Sequence, residues 1–197
     1  TGGDGASTFN VSTATALVVA AAGVPVVKHG NRSVSSRSGS ADVLSLLGVR
    51  IDGDIPFARR CLAEANFAFC FAPQFHPALK NVAAIRKRLG IPTIFNCLGP
   101  LANPAGATHQ VIGVGQASLL DRMAGALARL GTRGAVVLCG RDGLDEVSLA
   151  GPTLVRKVRQ GEVVADEWTP DDFGLPPCGS SDAHAADADA SAAIVRA

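Results

Sequence analysis

Asp145 and Glu146 stand side by side in GRDGLDEVSL, residues 140–149, directly after an apolar run that reads as a strand. Adjacent acids on an extended or turning segment point apart, so they can reach two metal ions, or one metal and its water shell, and oxygen-only ligands suit magnesium. A solvated acidic turn is the other reading of the same pair. A second stretch, KHGNRSVSSRSGSAD at residues 28–42, packs cations, an asparagine and serines behind another strand. Lys28 and Arg32 can neutralise phosphate charge, and Ser33, Ser35, Ser36 and Ser40 offer hydroxyls and amides to its oxygens. Loops at the carboxyl ends of parallel strands are where α/β proteins hold ligands. A serine-rich surface loop remains open as the alternative, and His29 is either a ligand contact or a loop histidine satisfied by backbone. The third stretch, TGGDGASTFNVST at residues 1–13, has glycines that let backbone amides approach an anion just before a helix starts. It is neither a P-loop nor GxGxxG; an ordinary glycine turn, with Asn10 or Ser12 capping the helix, is the plain reading. In the fourth, IRKRLGIPTIFNCLGPLANP, Arg86, Lys87 and Arg88 end a helix, and FNCLGPLANP reads as a rigid connection. Such a basic run usually complements the helix dipole from a solvated face.

The elements between these stretches alternate. TATALVVAAAG reads as a helix stopped by Gly23, and VPVVK as a buried strand. Helices follow near residues 42–47, closed by Gly48, and over residues 56–65, and then FAFCFA reads as a strand. HPALKNVAAIRKRLG reads as an amphipathic helix, HQVIGV as a strand, SLLDRMAGALARLG as a helix and RGAVVLCG as a strand. This alternation implies an α/β fold with a central, mainly parallel sheet flanked by helices. TLVRKVRQGEVVADEW forms two alternating runs about Gln160-Gly161, an antiparallel hairpin at the sheet edge. Residues 179–191, rich in Ala, Asp and Ser, fit either a linker or the start of a helix.

The 197 residues, 47% hydrophobic, suffice for one globular domain with a sizeable core, taken as residues 1–197. With 18 Lys and Arg against 17 Asp and Glu, the net charge of +1 creates no field for nucleic acid or an anionic membrane. The five cysteines include no CxxC pair, which disfavours zinc and a disulfide framework and suggests a reducing cytoplasm. The longest apolar stretch is too short to span a bilayer, and a soluble protein is expected. The chain starts within a glycine-rich loop and stops within a helix-like run, so truncation at both ends is expected.

The four stretches, in this order and at these separations, resemble anthranilate phosphoribosyltransferases from Thr1 to about Leu175. KHGNRSVSS followed by GSAD carries most of the likeness; pyrimidine nucleoside phosphorylases keep the Lys-His pair but continue differently. A noncatalytic nucleic-acid binder would need a basic, aromatic-bearing surface that the composition does not supply. The resemblance implies transfer of the 5-phosphoribosyl group from phosphoribosyl diphosphate to the amine of anthranilate, with Mg2+, in a cytoplasmic homodimer of the tryptophan pathway. It matches Gly3, Asp4, Thr8, Asn10, Ser12, Thr13, Lys28, Ser36 and Ser40 to residues that hold phosphoribosyl diphosphate. The same runs bring in Val11, His29, Gly30, Asn31, Arg32, Ser33, Val34 and Ser35. Ser12, Asp145 and Glu146 match the magnesium ligands; Asn31 and Arg86 match anthranilate contacts, with Gly2 and His29 lining that region. No protein nucleophile or strong general base is implied. The resemblance also implies a small helical domain, of which only a middle segment, residues 76–98, is present. The tail departs from the family, whose Gly-Gly segment and Asn are replaced here by GSSDAHAADADA.

Overall fold

A computed structural model describes residues 6–32, 38–79, 85, 88–89, 91 and 93–197. The chain divides into two compact units, Phe9–Ala105 with Ala185–Ala197, and Thr1–Thr8 with Gly106–His184. The first is called the N-terminal unit below, the second the C-terminal unit. The expected α/β class is the one adopted, with a strand set in each unit.

In the N-terminal unit, helix α1 (Val11–Ala21) is capped by Asn10, whose side chain accepts from the Thr13 amide, and Gly23 ends the turn behind it at φ +88°. Strand β1 (Val26–Gly30) pairs in parallel with β2 (Phe67–Phe71), which sets Lys28 opposite Phe69 and His29 opposite Cys70. Helix α2 (Ser40–Leu46) starts where the serine-rich stretch ends. Helix α3 (Ile55–Ala65) has Asp54 as its cap, Pro56 in the first turn and left-handed Asn66 as its stop, and it delivers the chain into β2. A short helix α4 (Ala72–Phe75) follows. The core of this unit joins Ala16 and Ala20 of α1, Ala41 and Leu44 of α2, Ile51, and Phe67 and Phe69 of β2. Burial of these faces fixes the starts of α1 and α2 relative to the end of β1.

Two readings change here. FNCLGPLANP is not a simple connection: helix α5 (Ile94–Leu101) runs through it, with Pro100 inside. Asn96, whose side chain accepts the Thr93 amide, marks the start, and Pro100, having no N–H, cannot bond the Asn96 carbonyl, so the helix is short. In the tail, helix α7 (Ala188–Arg196) begins behind Asp187, whose carboxylate accepts from the Ala190 amide. The undecided segment therefore contains a helix start. The helix expected in HPALKNVAAIRKRLG lies partly outside the described residues; Pro77–Leu79 form a single tight turn, and Ile85, Arg88 and Leu89 are helical.

In the C-terminal unit a four-stranded sheet runs β3 (His109–Gly113), β4 (Gly134–Gly140), β5 (Thr153–Arg159), β6 (Glu162–Trp168). The first pair is parallel and the next two are antiparallel. Gln160 and Gly161, at φ +52° and +85°, close the β5–β6 hairpin, as the two-residue signal predicts. Helix α6 (Leu120–Arg129) buries Leu120, Met123, Ala124 and Leu127, the i, i+3, i+4, i+7 stripe. Trp168, at the end of β6, donates its ring N–H to Asp166 and meets the Phe173 ring edge-on at 5.7 Å. No helix among the described residues is long and apolar enough to cross a membrane.

Candidate functional site

The N-terminal unit places Lys28 beside the start of α1. Its Nζ donates to Ser12 Oγ at 2.5 Å, so a primary ammonium stands at a helix N-terminus, where the helix dipole leaves a partial positive charge. Both elements favour an anion there. Thr13, on the same turn, is fully buried, and its hydroxyl has no partner among the described residues. Asn10 Nδ2 donates to the Ser38 carbonyl at 3.1 Å, which ties the end of the serine-rich stretch to the cap of α1.

Gly30 closes β1 against the start of α2: a Cβ there would lie 3.3 Å from the Phe69 ring and 3.4 Å from Ser40 Cβ. Asn31 accepts the Ala41 amide on its carbonyl and the Arg32 amide on its side chain. Arg32 Nη1 pairs with Asp42 at 2.9 Å. The guanidinium thus tethers the two ends of the serine-rich stretch, a holding task that the sequence reading, which gave Arg32 only phosphate neutralisation, did not contain. Val11 and Ser40 lie in the first turns of α1 and α2, and Thr8 forms an isolated bridge with His184 in the C-terminal unit. Gly2, Gly3, Asp4, Ser33, Val34, Ser35, Ser36 and Arg86 lie outside the described residues.

His29 meets the edge of His76, with ring centroids 4.9 Å apart, and the Nε2 atoms of both are buried without a partner among the described residues. Burial, and then the charge of His76, push the His29 pKa below its usual value, while the Gly99 carbonyl pulls it the other way. No spacing in the sequence links residues 29 and 76; only the packing of β1 against the segment after α4 does. Because the unfolded chain binds the His29 proton more readily, the stability held at neutral pH is lost as pH falls below the unfolded value of about 6.5. Thermal melts from pH 8 down to pH 5 are expected to show Tm falling, with a shallower fall in His29→Gln; parallel curves would remove His29 as the cause.

The acidic loop of the C-terminal unit is an ordered, hydrogen-bonded turn. Asp142 accepts from Ser148 Oγ at 2.6 Å and from the Leu144 amide at 3.2 Å. The Ser148 amide donates to the buried Thr153 hydroxyl, the Gly140 amide to the Leu144 carbonyl, and Gly143 turns at φ +89°. This internal pairing overturns the reading of a merely solvated turn. Asp145 is buried, Glu146 half-buried, and both keep interactions of their own. A Cβ at Gly113, the last residue of β3, would overlap the main-chain oxygen of Asp145, so the strand end and the acidic pair are packed backbone to backbone. The Cys139 thiol is pushed up by burial, and further by the negative charges of Asp142 and Asp145. Among the described residues no group of three or more His, Cys, Asp or Glu gathers as a metal site, so a cation held by Asp145 and Glu146 would need water or substrate oxygens to fill its shell. The sequence reading passed over Asp142; the Asp-Gly step within GRDG, a turn signal, could have marked it as the loop's organiser.

The N-terminal unit thus carries a lysine at a helix N-terminus, and the C-terminal unit an ordered acidic loop. The whole chain, residues 1–197, matches the glycosyl transferase family, a/b domain, and it belongs to that family. It is 52% identical over 195 residues to the anthranilate phosphoribosyltransferase of Anaeromyxobacter sp. strain K, covering 99% of this chain and 58% of that protein. It also superposes on the crystal structure of the Thermus thermophilus anthranilate phosphoribosyltransferase, with TM-score 0.89 and 45% identity over 99% of this chain and 57% of that one. The Saccharomyces cerevisiae enzyme, in a structure with PRPP and Mg, matches at TM-score 0.89 and 34% identity, over 99% and 54% of the two chains. In a further structure the yeast protein is in complex with 4-fluoroanthranilate, at TM-score 0.85 and 32% identity, over 99% of this chain and 53% of that one. The chain thus spans somewhat more than half the length of its curated relatives.

Proposed function

We propose that this chain supplies the phosphoribosyl-diphosphate-handling part of an anthranilate phosphoribosyltransferase. The reaction joins the anthranilate amine to C1 of the ribose: the nitrogen lone pair forms the N–C1 bond, the C1–O bond breaks, diphosphate leaves with that electron pair, and the amine proton is released to solvent. The observation that carries the reading is the Lys28 ammonium on Ser12 at the start of α1. Lys28 and the positive end of the α1 dipole stabilise charge that grows on the leaving diphosphate. Asn10, Arg32 and Asp42 keep the serine-rich stretch in register with that helix. Aligning the amine, C1 and leaving group supplies much of the rate, and an aniline-type amine, neutral at pH 7, needs no strong base. Asp145 and Glu146 are the residues that would hold magnesium; when bound, the ion would act as a Lewis acid on diphosphate oxygens.

Arg86 decides the substrate. Its guanidinium can grip the anthranilate carboxylate through two parallel hydrogen bonds, worth about 1.5–3 kcal/mol, so Arg86→Ala is expected to lower kcat/KM for anthranilate by roughly ten- to 150-fold. Affinity for phosphoribosyl diphosphate is expected to stay put, and Arg88→Ala, at an exposed position, to act like the parent. Anthranilate fluorescence reads the consumption. Equal losses in both variants would put anthranilate elsewhere, and a parent that consumes none would sink the function. We further propose a homodimer working in the cytoplasm. The five free cysteines support a reducing compartment, and sedimentation equilibrium tests the dimer.

A further inference from the structure

Helix starts in this chain are closed in two ways. At Thr93 and at Thr169 the side chain three residues on, Asn96 or Asp172, accepts the cap's own amide, closing that half of a capping box within the helix itself. At α1 only half of that box exists locally. Asn10 Oδ1 accepts from the Thr13 amide, but Thr13 does not return the favour to the Asn10 amide, and its hydroxyl has no partner among the described residues. The missing half comes from the far end of the chain. Ser191 Oγ, on α7, accepts the Asn10 amide at 2.8 Å across 181 residues of sequence. Ser191 is fully buried, and α7 is held in place by Ala192 in the interior and by Arg196, whose guanidinium donates to the Leu46 carbonyl at the end of α2.

We propose that Ser191 is a positioning residue for phosphoribosyl diphosphate, acting through Asn10 rather than on the substrate; this rests on the function proposed above. Asn10 is the junction of the arrangement. Its amide is fixed by Ser191, its Oδ1 orders the first turn of α1 that carries Ser12 and Thr13, and its Nδ2 holds the Ser38 carbonyl two residues before Ser40. Loss of the Ser191 hydroxyl leaves a backbone donor unpaired at the point where both phosphate-facing segments are anchored. The consequence falls on one substrate only, because none of these contacts involves the residues matched to anthranilate.

The test uses Ser191→Ala and Ser191→Cys in the protein at its native length, the cysteine keeping the shape while weakening the acceptor. One neutral hydrogen bond corresponds to about a three- to tenfold change in an equilibrium. KM for phosphoribosyl diphosphate is expected to rise by about that factor in both variants, with KM for anthranilate unchanged, and the Asn10 amide is expected to exchange its hydrogen faster. Unchanged Asn10 exchange, or two KM values that stay level or rise together, would overturn the inference while leaving the function standing. A parent that consumed no anthranilate would overturn the function instead. The inference would then be decided by Asn10 exchange and by calorimetric titration with inorganic diphosphate, where equal affinity in parent and variants counts against it.

Discussion

Changing Asp145 to Asn together with Glu146 to Gln is expected to reduce turnover by about 100-fold or more and to flatten the magnesium dependence, with the fold retained. The substitutions keep size and shape while removing the charge and turning one acceptor oxygen of each side chain into a donor. The loop is built by Asp142, Ser148 and Thr153, none of which changes, so its course is expected to survive. A second reading needs no turnover. Because Asp145 is one of the charges that push the Cys139 thiol up, the variant thiol is expected to titrate lower than in the parent, though still above a free cysteine because burial is the larger cause. A double variant with the parent's magnesium titration and turnover would remove the metal assignment altogether.

Gly113→Ala is expected to destabilise the protein by about 3 kcal/mol, a fall in Tm of about 6–12 °C, and to weaken the magnesium response along with it. The added methyl would meet the main-chain oxygen of Asp145, which is backbone and cannot swing aside as a side-chain tip can. Either the end of β3 shifts, disturbing its parallel pairing in which Gly113 faces Leu138, or the acidic pair moves. Gly151→Ala is the matched control in the same unit: nothing lies within 4 Å of the added carbon and its φ is ordinary. Equal melting of the two variants would show that the contact between Gly113 and Asp145 is not confining.

Local chemistry made much of the fold legible. Asp54 and Pro56 mark the start of α3, Gly23 and Gly48 the ends of α1 and α2, and Gln160-Gly161 the hairpin, because caps and left-handed turns are decided by residues a few positions apart. The same locality explains the misses. Pro100 within an apolar, glycine-bearing run reads as a break, and only the Thr93–Asn96 contact at its start marks the short helix that runs through it. In the tail, Asp187 was a readable cap, but the surrounding Ala, Asp and Ser offered no apolar stripe to confirm it. At the site, residue types and strand-end position pointed to Lys28, Asp145 and Glu146, whereas Ser12 came from the resemblance alone. Partnerships such as His29 with His76, or Asn10 with Ser191, depend on which elements pack together, and no spacing encodes them.

The chain has one tryptophan and no tyrosine, so its indole fluorescence comes from a single place, Trp168 at the end of β6. That ring lies edge-on to Phe173, within 5.5 Å of the Lys157 ammonium and hydrogen-bonded to Asp166. Its emission therefore reports on the β5–β6 hairpin of the C-terminal unit. Far-ultraviolet circular dichroism, by contrast, sums over the helices of both units. Following both signals through one denaturant titration turns this chance of composition into a spectroscopic separation of the two halves: superimposed curves mean one cooperative transition, and displaced curves mean that each unit melts on its own.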